Sequence, residues 1–443
     1  MGADVGATLS HLFGNQRELK VLIITYYWPP AGGSGVQRWL KFAKYLPDFG
    51  VTPIVYTVKN PDYPIVDETL ESEVAEDLQV IRGSIVEPNQ IFSRFNSREK
   101  ESSAGFLDSN PSAFGKIMQY VRANYFIPDA RRFWVKPSVK RLKKWIPENG
   151  IDLVITTGPP HSLHLIGLQL KAITGVKWLA DFRDPWTNID YFHNLPMNRR
   201  ARNRHLQLET EVLTKADRVV VVGNSMKEEF SDRCDRISVI TNGFDAADNK
   251  ERQRLDAKFS ISHIGMMNAD RNPQIFWNAL QELVSESEDF ARDLQVKLIG
   301  RCVDDVYESV ARAGLTDHVS FVSYLPHEEV LRFQSASQVL LIAVNNVPSA
   351  RAIITGKVFE YLQSQRPVIG IGPEDGDLSD ILSRSGAGKM IGFDRQSELK
   401  ELIWRHYQKF KMNDLKTSST DIAQYERRNL TGKLVHLIHE LVE

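Results

Sequence analysis

The repeating order of apolar run, glycine or proline breaker and helical stretch constrains the fold most. Residues 20–27, KVLIITYY, are nearly all apolar or β-branched, which is typical of a strand buried on both faces of a parallel sheet. The run ends in the breaker WPPAGGSG at residues 28–35, after which apolar residues recur at helical spacing. A second apolar run at residues 53–58 completes a βαβ unit.

The same alternation continues to residue 244. The pattern is poorer between residues 83 and 145, where an insertion at residues 97–112 is expected to be a long loop. The sequence therefore predicts a doubly wound α/β domain over residues 20–244, after an N-terminal extension of residues 1–19. Its further strands are predicted at residues 80–86, 151–157, 176–182, 218–222 and 237–240, and its helices at residues 162–173 and 198–216.

A second βα series follows a polar, charged stretch at residues 245–258, which is typical of a linker. It predicts a second Rossmann-like domain over residues 259–420 and a helical C-terminal segment at residues 421–443. Two tandem open sheets with facing carboxyl ends predict a central cleft. Strands are predicted at residues 259–264, 296–299, 319–322, 339–344 and 367–371, and helices near Pro273, Asp304, His327 and Thr355 and over residues 422–442.

Composition limits the function classes. A chain of 443 residues with 42% hydrophobic residues favours two domains, and a net charge of −1 gives no electrostatic reason to expect a nucleic-acid partner. The two cysteines, Cys234 and Cys302, lack metal-ligand spacing and indicate a reducing compartment. No apolar run reaches the roughly 18 to 20 residues of a membrane span, and residues 1–16 lack the basic and apolar regions of a secretory signal. A cytoplasmic location is expected.

Two loops in the first half are candidate binding sites. Gly32, Gly33 and Gly35 precede a predicted helix, so backbone amides there favour a phosphate or a closely approaching sugar. Their spacing does not match the dinucleotide fingerprint, and a tight turn that simply requires glycine is the alternative. The second loop is the strand-end sequence TTGPPH, in which His161 is either a substrate contact or an ordinary hydrogen-bonding residue.

The sequence KWLADFRDPW places Asp181, Arg183 and Asp184 directly after a buried strand. Two carboxylates and a guanidinium at this edge of a sheet are able to hold sugar hydroxyls. A structural ion pair that braces the loop is the alternative.

The second half offers a candidate nucleotide site. Gly265 and Arg271 follow its first predicted strand, and an arginine there suits a diphosphate. Thr355 and Gly356 open a helix whose amides favour phosphate. Glu360 lies one turn inside, where a carboxylate accepts hydrogen bonds from ribose hydroxyls; a capping or solvated glutamate is the alternative.

These segments together resemble glycosyltransferase family 4, the retaining group of the two-domain GT-B fold, over most of residues 20–443. The resemblance rests on GGSGVQRWLKFAKYL, VVVVGNSMKEEF, ITNGFD, GMMNADRNP and, most specifically, TGKVFEYLQSQRPVI. FIPDARRFW, ADFRDPW and TGKVFEYL are similar to a bacterial subgroup that builds surface polysaccharides. The resemblance implies that Glu360 holds the ribose, that Arg271 binds the diphosphate, that residues 32–35 approach diphosphate and acceptor, and that the last helix packs back on the first domain.

The sequence departs from the family at three positions. The first glutamate of the usual E-x7-E pair is Ala352, the arginine often found after the glycine matching Gly265 is Met266, and a frequent histidine is Arg183. The donor sugar is therefore less well indicated than the fold.

The resemblance implies that the enzyme transfers a hexosyl-type unit from a nucleoside diphosphate sugar to a glycan or lipid-linked acceptor with retention. No metal cofactor is expected, because Arg271, Lys357 and helix amides are able to neutralise the leaving diphosphate. A nucleotide-sugar epimerase and a non-catalytic sugar-nucleotide-binding or scaffold protein are the alternatives.

Two basic clusters also predict peripheral contact with an anionic membrane. A solvated helix face is the alternative. The first cluster comprises Arg131, Arg132, Lys136, Lys140, Arg141, Lys143 and Lys144 with Phe133, Trp134 and Trp145 interleaved, and the second comprises Arg199, Arg200, Arg202 and Arg204.

Overall fold

Two parallel β-sheets, each with its own helices, organise the computed structural model. It describes residues 18–87, 113–189, 192–246, 254–323, 325–416 and 419–443. Contacts divide the chain into two units. The first comprises residues 1–222, 226–241 and 427–443, and the second comprises residues 223–225 and 242–426.

The first unit contains a seven-stranded sheet of order β3-β2-β1-β4-β5-β6-β7, in which all pairs are parallel. The strands are β1 (Leu19–Ile24), β2 (Val51–Val58), β3 (Gln79–Gly83), β4 (Leu153–Gly158), β5 (Lys177–Phe182), β6 (Arg218–Val221) and β7 (Ile237–Val239). The first helices along the chain are α1 (Ser34–Tyr45), α2 (Ala113–Tyr125), α3 (Arg132–Glu148), α4 (Ser162–Thr174), α5 (Arg199–Lys215) and α6 (Asn224–Phe230).

The second unit contains a six-stranded parallel sheet of order β10-β9-β8-β11-β12-β13. Its strands are β8 (Phe259–Ile264), β9 (Leu294–Ile299), β10 (Val319–Val322), β11 (Val339–Ala343), β12 (Val368–Ile371) and β13 (Gly388–Ile391). Its helices are α7 (Gln274–Glu286), α8 (Glu288–Asp293), α9 (Asp304–Arg312), α10 (His327–Ala336), α11 (Lys357–Ser364), α12 (Asp377–Arg384) and α13 (Gln396–Lys411).

The final helix, α14 (Arg427–Val442), packs on the first unit. Its Leu430, Leu434 and Ile438 are buried in the same apolar cluster as Val21 and Trp39. The GT-B architecture and the return of the last helix are thus confirmed.

Several predicted boundaries were wrong. The strand predicted at residues 20–27 ends at Ile24, after which Thr25, Tyr26 and Tyr27 begin the loop, and the one predicted at 80–86 runs from Gln79 to Gly83. The helix expected to open at Thr355 begins at Lys357, with Gly356 as its N-cap. The helix predicted at 422–442 is a 3-10 turn, Ile422–Tyr425, followed by α14. The insertion at residues 97–112 lies outside the described residues.

Candidate functional site

Each sheet has one point at which the strand order reverses. Neighbouring strands β1 and β4 mark it in the first unit, and β8 and β11 mark it in the second. Open α/β sheets bind ligands beside the carboxyl ends of the strands at such points. The loops that leave these four strands carry most of the site residues predicted from the sequence.

In the second unit, Lys357 fills the space beside Gly265. An ideal Cβ built on Gly265 would lie 1.7 Å from the Lys357 Nζ, and the φ of Gly265 is 119°. Only glycine tolerates that backbone conformation without strain and leaves room for the lysine. The structure therefore places Lys357, which was expected to neutralise the leaving diphosphate, directly beside Gly265.

Hydrogen bonds to neutral groups hold Arg271 at the loop that begins with Gly265. Its Nε donates to the Asn345 Oδ1 at 3.0 Å and its Nη1 to the Met266 carbonyl at 3.1 Å. Its backbone amide donates to the Asn268 Oδ1. Asn345 follows β11, so this bond joins the two loops at the reversal point of the second sheet.

The two cations of this site repel each other. Burial, reinforced by the charge of Arg271 and opposed by Glu360, lowers the pKa of Lys357 to about 8. The Lys357 ammonium makes no ion pair or hydrogen bond with any described residue. Burial also lowers the pKa of neighbouring His263 to about 3, so this imidazole is neutral. Two nearby cations around a small residue are suited to an anion with more than one negative charge.

Helix α11 presents Lys357 and Glu360 on one side, because residues three apart are neighbours on a helix. Its opposite side is anchored by buried apolar residues and by Tyr361, whose hydroxyl accepts the Ile264 amide at 3.1 Å. The Glu360 Oε2 accepts a hydrogen bond from the Gln334 Nε2 at 2.8 Å. Thr355 and Gly356 lie at the N-terminus of α11, where the helix dipole favours negative charge.

In the first unit, Arg183 lies against the glycine loop. An ideal Cβ on Gly35 would lie 2.7 Å from the Arg183 Nη1 and 3.4 Å from Tyr27. The Nη2 of Arg183 donates to the Asp184 Oδ2 at 3.1 Å. The structure thus brings together the predicted residues Gly35, Arg183 and Asp184.

The other glycines of this loop are tied to the segment after β2. The Gly32 amide donates to the Ile65 carbonyl at 2.9 Å, and Ala31 and Val66 form an antiparallel bridge. Gly33 has a φ of 84° and is the N-cap of α1. The loop is therefore a fixed turn at the start of a helix.

Asp181 lies inside the first unit instead of facing Arg183. It is fully buried and pairs with Arg38, whose Nη2 lies 2.8 Å from its Oδ1. The Trp39 Nε1 and the Thr157 hydroxyl both donate to its Oδ2. With its oxygens occupied in this way, Asp181 holds α1 against the end of β5.

His161 is buried near the start of α4 and stacks on Trp186, with ring centroids 5.0 Å apart. Neither of its ring nitrogens has a hydrogen-bond partner among the described residues. Burial, with the nearby His164 ring and the charge of Arg183, lowers its pKa well below the usual range. His161 is therefore a neutral ring packed beneath the loop that carries Arg183 and Asp184.

In the described ranges, no group of three or more histidine, cysteine, aspartate or glutamate side chains is placed to hold a metal ion. Within the same ranges, no helix combines the length and apolar character that a membrane span requires.

Known proteins match this chain in sequence over part of its length and in fold over nearly all of it. Residues 32–248 match the model of Glycosyltransferase Family 4. This match covers just under half of the chain and includes the glycine loop and the Arg183 loop. Residues 249–443 lie outside it.

A curated relative, 2-deoxystreptamine glucosyltransferase of Streptomyces kanamyceticus, is 28% identical over 131 residues. These residues are 29% of this chain and 32% of the relative, so the match spans about a third of the relative's length.

Solved structures match nearly the whole chain. A glycosyltransferase from Rickettsia africae has a TM-score of 0.64 at 14% identity, covering 97% of this chain and 100% of that one. An Anabaena protein crystallised with UDP and glucose has a TM-score of 0.60 at 13% identity, covering 96% and 100%. A UDP-N-acetylglucosamine 2-epimerase described as putative, from Listeria monocytogenes, has a TM-score of 0.55 at 12% identity, covering 96% of both. These likenesses establish the GT-B fold.

Several residues at these sites did not stand out in the sequence. Asn345 follows the predicted strand at residues 339–344, so its position at a strand end was a usable signal. Arg38 lies two positions from Val36 and from Leu40, off the apolar side of the predicted helix, so its burial could not be inferred from the sequence. Gln334 and Tyr361 carry no comparable pattern.

Proposed function

We propose that this chain is a retaining glycosyltransferase that takes a hexosyl unit from a nucleoside diphosphate sugar. The observation that carries the proposal is the placement of Arg271 and Lys357 around Gly265 in the second unit. A diphosphate carries the negative charge that both cations attract, and the amides at the start of α11 add to the attraction. Glu360, on the same side of α11 as Lys357, is the proposed ribose ligand.

The chemistry follows from these parts. The bond between the anomeric carbon and the phosphate oxygen breaks while the acceptor oxygen bonds to the same face of that carbon. The acceptor proton passes to the departing phosphate oxygen, so no protein nucleophile is needed. Arg271 and Lys357 stabilise the charge that develops on the leaving diphosphate, and we propose that the reaction needs no metal ion.

We assign the acceptor to the first unit. Arg183, Asp184 and the loop of Gly32, Gly33 and Gly35 are its proposed contacts. His161 and Asp181, both buried, are proposed to position this loop. The proposed acceptor is a glycan or a lipid-linked glycan of surface-polysaccharide synthesis, met in the cytoplasm at an anionic membrane.

The test begins with binding. Titration calorimetry with a panel of nucleoside diphosphates should find one that binds, and Arg271→Gln should weaken it about ten- to a hundredfold, the value of a charge-assisted hydrogen bond. The bare nucleoside should lose little affinity. Arg301→Gln is the matched control, because Arg301 is an exposed arginine after the neighbouring strand β9. Equal losses for diphosphate and nucleoside would contradict the assignment.

Activity assays distinguish a glycosyltransferase from an epimerase and from a non-catalytic protein. Incubation of the matching sugar donor with glycan acceptors should give a product with unchanged anomeric configuration by NMR, and activity should persist in EDTA. Acceptor-free interconversion of the sugar would identify an epimerase, a function that shares this fold. Binding without transfer or donor hydrolysis would identify a non-catalytic protein, the outcome that Ala352 favours.

A further inference from the structure

Helix α2 exposes a row of large apolar side chains. Ile117, Tyr120 and Tyr125 are 60%, 45% and 67% exposed, and Phe133, at the start of α3, is 48% exposed. Their positions on α2, i, i+3 and i+8, fall on one side of the helix. Single exposed apolar residues are ordinary, whereas a cluster of this kind marks an interaction surface.

The outer face of α3 is strongly basic. This helix buries Trp134, Val139 and Leu142 and leaves its basic residues in solvent. None of the four lysines on this face makes an ion pair or hydrogen bond with a described residue. The exposed basic residues are Arg132, Lys136, Lys140, Arg141, Lys143 and Lys144.

Hydrogen bonds join both basic clusters to the end of α2. The Arg132 Nη1 donates to the Tyr125 carbonyl at 2.7 Å. The Asn198 amide, at the N-cap of α5, donates to the Asn124 Oδ1 at 2.8 Å. The exposed Arg199 and Arg200 follow Asn198 directly. The end of α2 therefore lies next to the basic first turns of α3 and α5. The exposed apolar row of α2, Phe133 and the exposed cations of α3 and of the first turn of α5 are here called the α2 surface.

The structure changes which residues supply the exposed apolar side chains of the α2 surface. Trp134 is fully buried and Trp145 is half-buried against the core, so neither belongs to the surface as the sequence had indicated. Phe133 is exposed as expected. The rest comes from α2, which lies in the part of the sequence with the poorest periodicity.

We propose that the α2 surface docks on an anionic lipid bilayer. Aromatic and aliphatic side chains partition into the boundary between headgroups and acyl chains, while flanking cations attract anionic headgroups. A second copy of this chain would bring the same cations face to face, which like-charge repulsion opposes. A purely polyanionic partner gives the apolar row nothing to contact.

This inference deepens the acceptor side of the proposed function, because it names the surface at which the acceptor is met. It does not depend on the nucleotide site. Failure of docking and failure of the glycosyltransferase proposal are therefore separately observable.

Vesicle sedimentation with the full chain tests the proposal. Vesicles that contain phosphatidylglycerol should bind the protein at low salt, and pure phosphatidylcholine vesicles should not. The triple variant Lys136→Gln, Lys140→Gln, Lys143→Gln should weaken binding about a hundredfold, at about fivefold for each charge near the surface. The double variant Ile117→Ser, Tyr120→Ser should weaken it about tenfold with the charge unchanged.

Two matched controls separate local docking from general effects. Lys258→Gln, Lys409→Gln, Lys433→Gln removes the same charge from exposed positions elsewhere and should leave vesicle binding unchanged. Tyr307→Ser removes an exposed tyrosine of the second unit and should also have no effect. All variants should keep wild-type affinity for the nucleoside diphosphate. Equal losses in the two lysine triples, no binding at low salt, or a dimer that the Ile117→Ser, Tyr120→Ser variant abolishes would each overturn the proposal.

Discussion

Lys357 carries a pKa of about 8, lowered first by burial and then by Arg271. The charged ammonium is the form that attracts a diphosphate. Affinity should therefore change little between about pH 7 and pH 8, where the diphosphate keeps its charge, and fall by up to tenfold for each pH unit above about pH 8. Titration calorimetry between neutral and alkaline pH measures this slope.

Two conservative variants sharpen that prediction. Lys357→Arg keeps the charge at all these pH values and should flatten the curve, because arginine does not deprotonate in proteins. Lys389→Arg, in which an exposed lysine pairs with Glu398 away from α11, should leave the slope intact. A slope that survives Lys357→Arg would assign the titration to another group.

Gly265 is the second residue whose identity the site requires. Gly265→Ala should lower diphosphate affinity at least tenfold, because the new Cβ takes the place of the Lys357 ammonium. It should also cost about 1 to 2 kcal/mol of stability through its positive φ.

Gly314→Ala separates these two effects. Gly314 also has a positive φ, 67°, but an added Cβ meets nothing within 4 Å. This variant should show similar destabilisation in urea with normal nucleotide binding. A similar loss of binding in both variants would mean that strain, not displacement of Lys357, is responsible.

At the scale of elements, the sequence predicts the strands better than the helices around them. β8 and β10 were predicted with the boundaries that the structure has, because both contain the aromatic and β-branched residues that are typical of strands. β13 has only four residues with a lysine among them, too weak a signal to be identified.

Helices α2 and α3 were not predicted from the sequence, each for a different reason. α3 contains Pro137 and Pro147 and a basic face, which obscure its apolar periodicity. α2 exposes apolar residues, so its pattern does not resemble that of a helix packed on a core. Apolar periodicity identifies a helix when its apolar side is buried against the rest of the chain. A helix that exposes apolar residues for contact with another molecule does not meet this condition.

The residues of the candidate sites also divide into those that the sequence could identify and those that it could not. Residues at the ends of predictable strands, such as Arg183 and Arg271, could be selected from their position alone. Contacts across the fold could not. Only the structure shows that Asp181 pairs with Arg38 and that Lys357 lies beside Gly265, more than 90 positions earlier in the chain.

The whole molecule contains neutral histidines in both units. Burial lowers the pKa of His164 in the first unit and of His263 in the second to about 3. An unfolded chain protonates these rings below about pH 6.5, whereas the folded chain does not. The unfolded state therefore binds more protons in this window, and stability falls as the pH drops.

Each such histidine should cost about 1.4 kcal/mol between pH 7.5 and pH 5.5. Urea midpoints measured at the two pH values should decrease accordingly, and His263→Gln should reduce the decrease. His436→Gln, at an exposed position of α14, should leave it unchanged. A midpoint that does not move between the two pH values would show that these rings are protonated in the folded state.

The return of α14 to the first unit has a consequence for the order in which the chain is made. Residues 242–426 stand between the body of the first unit and the helix that completes the apolar cluster of Val21, Ile23 and Trp39. A ribosome needs about ten to forty seconds to add them. During that interval this apolar cluster lacks the residues of α14, while the later unit is already contiguous. The unit that is synthesised first is thus the unit that is completed last. We expect nascent chains to be most prone to aggregation in that interval.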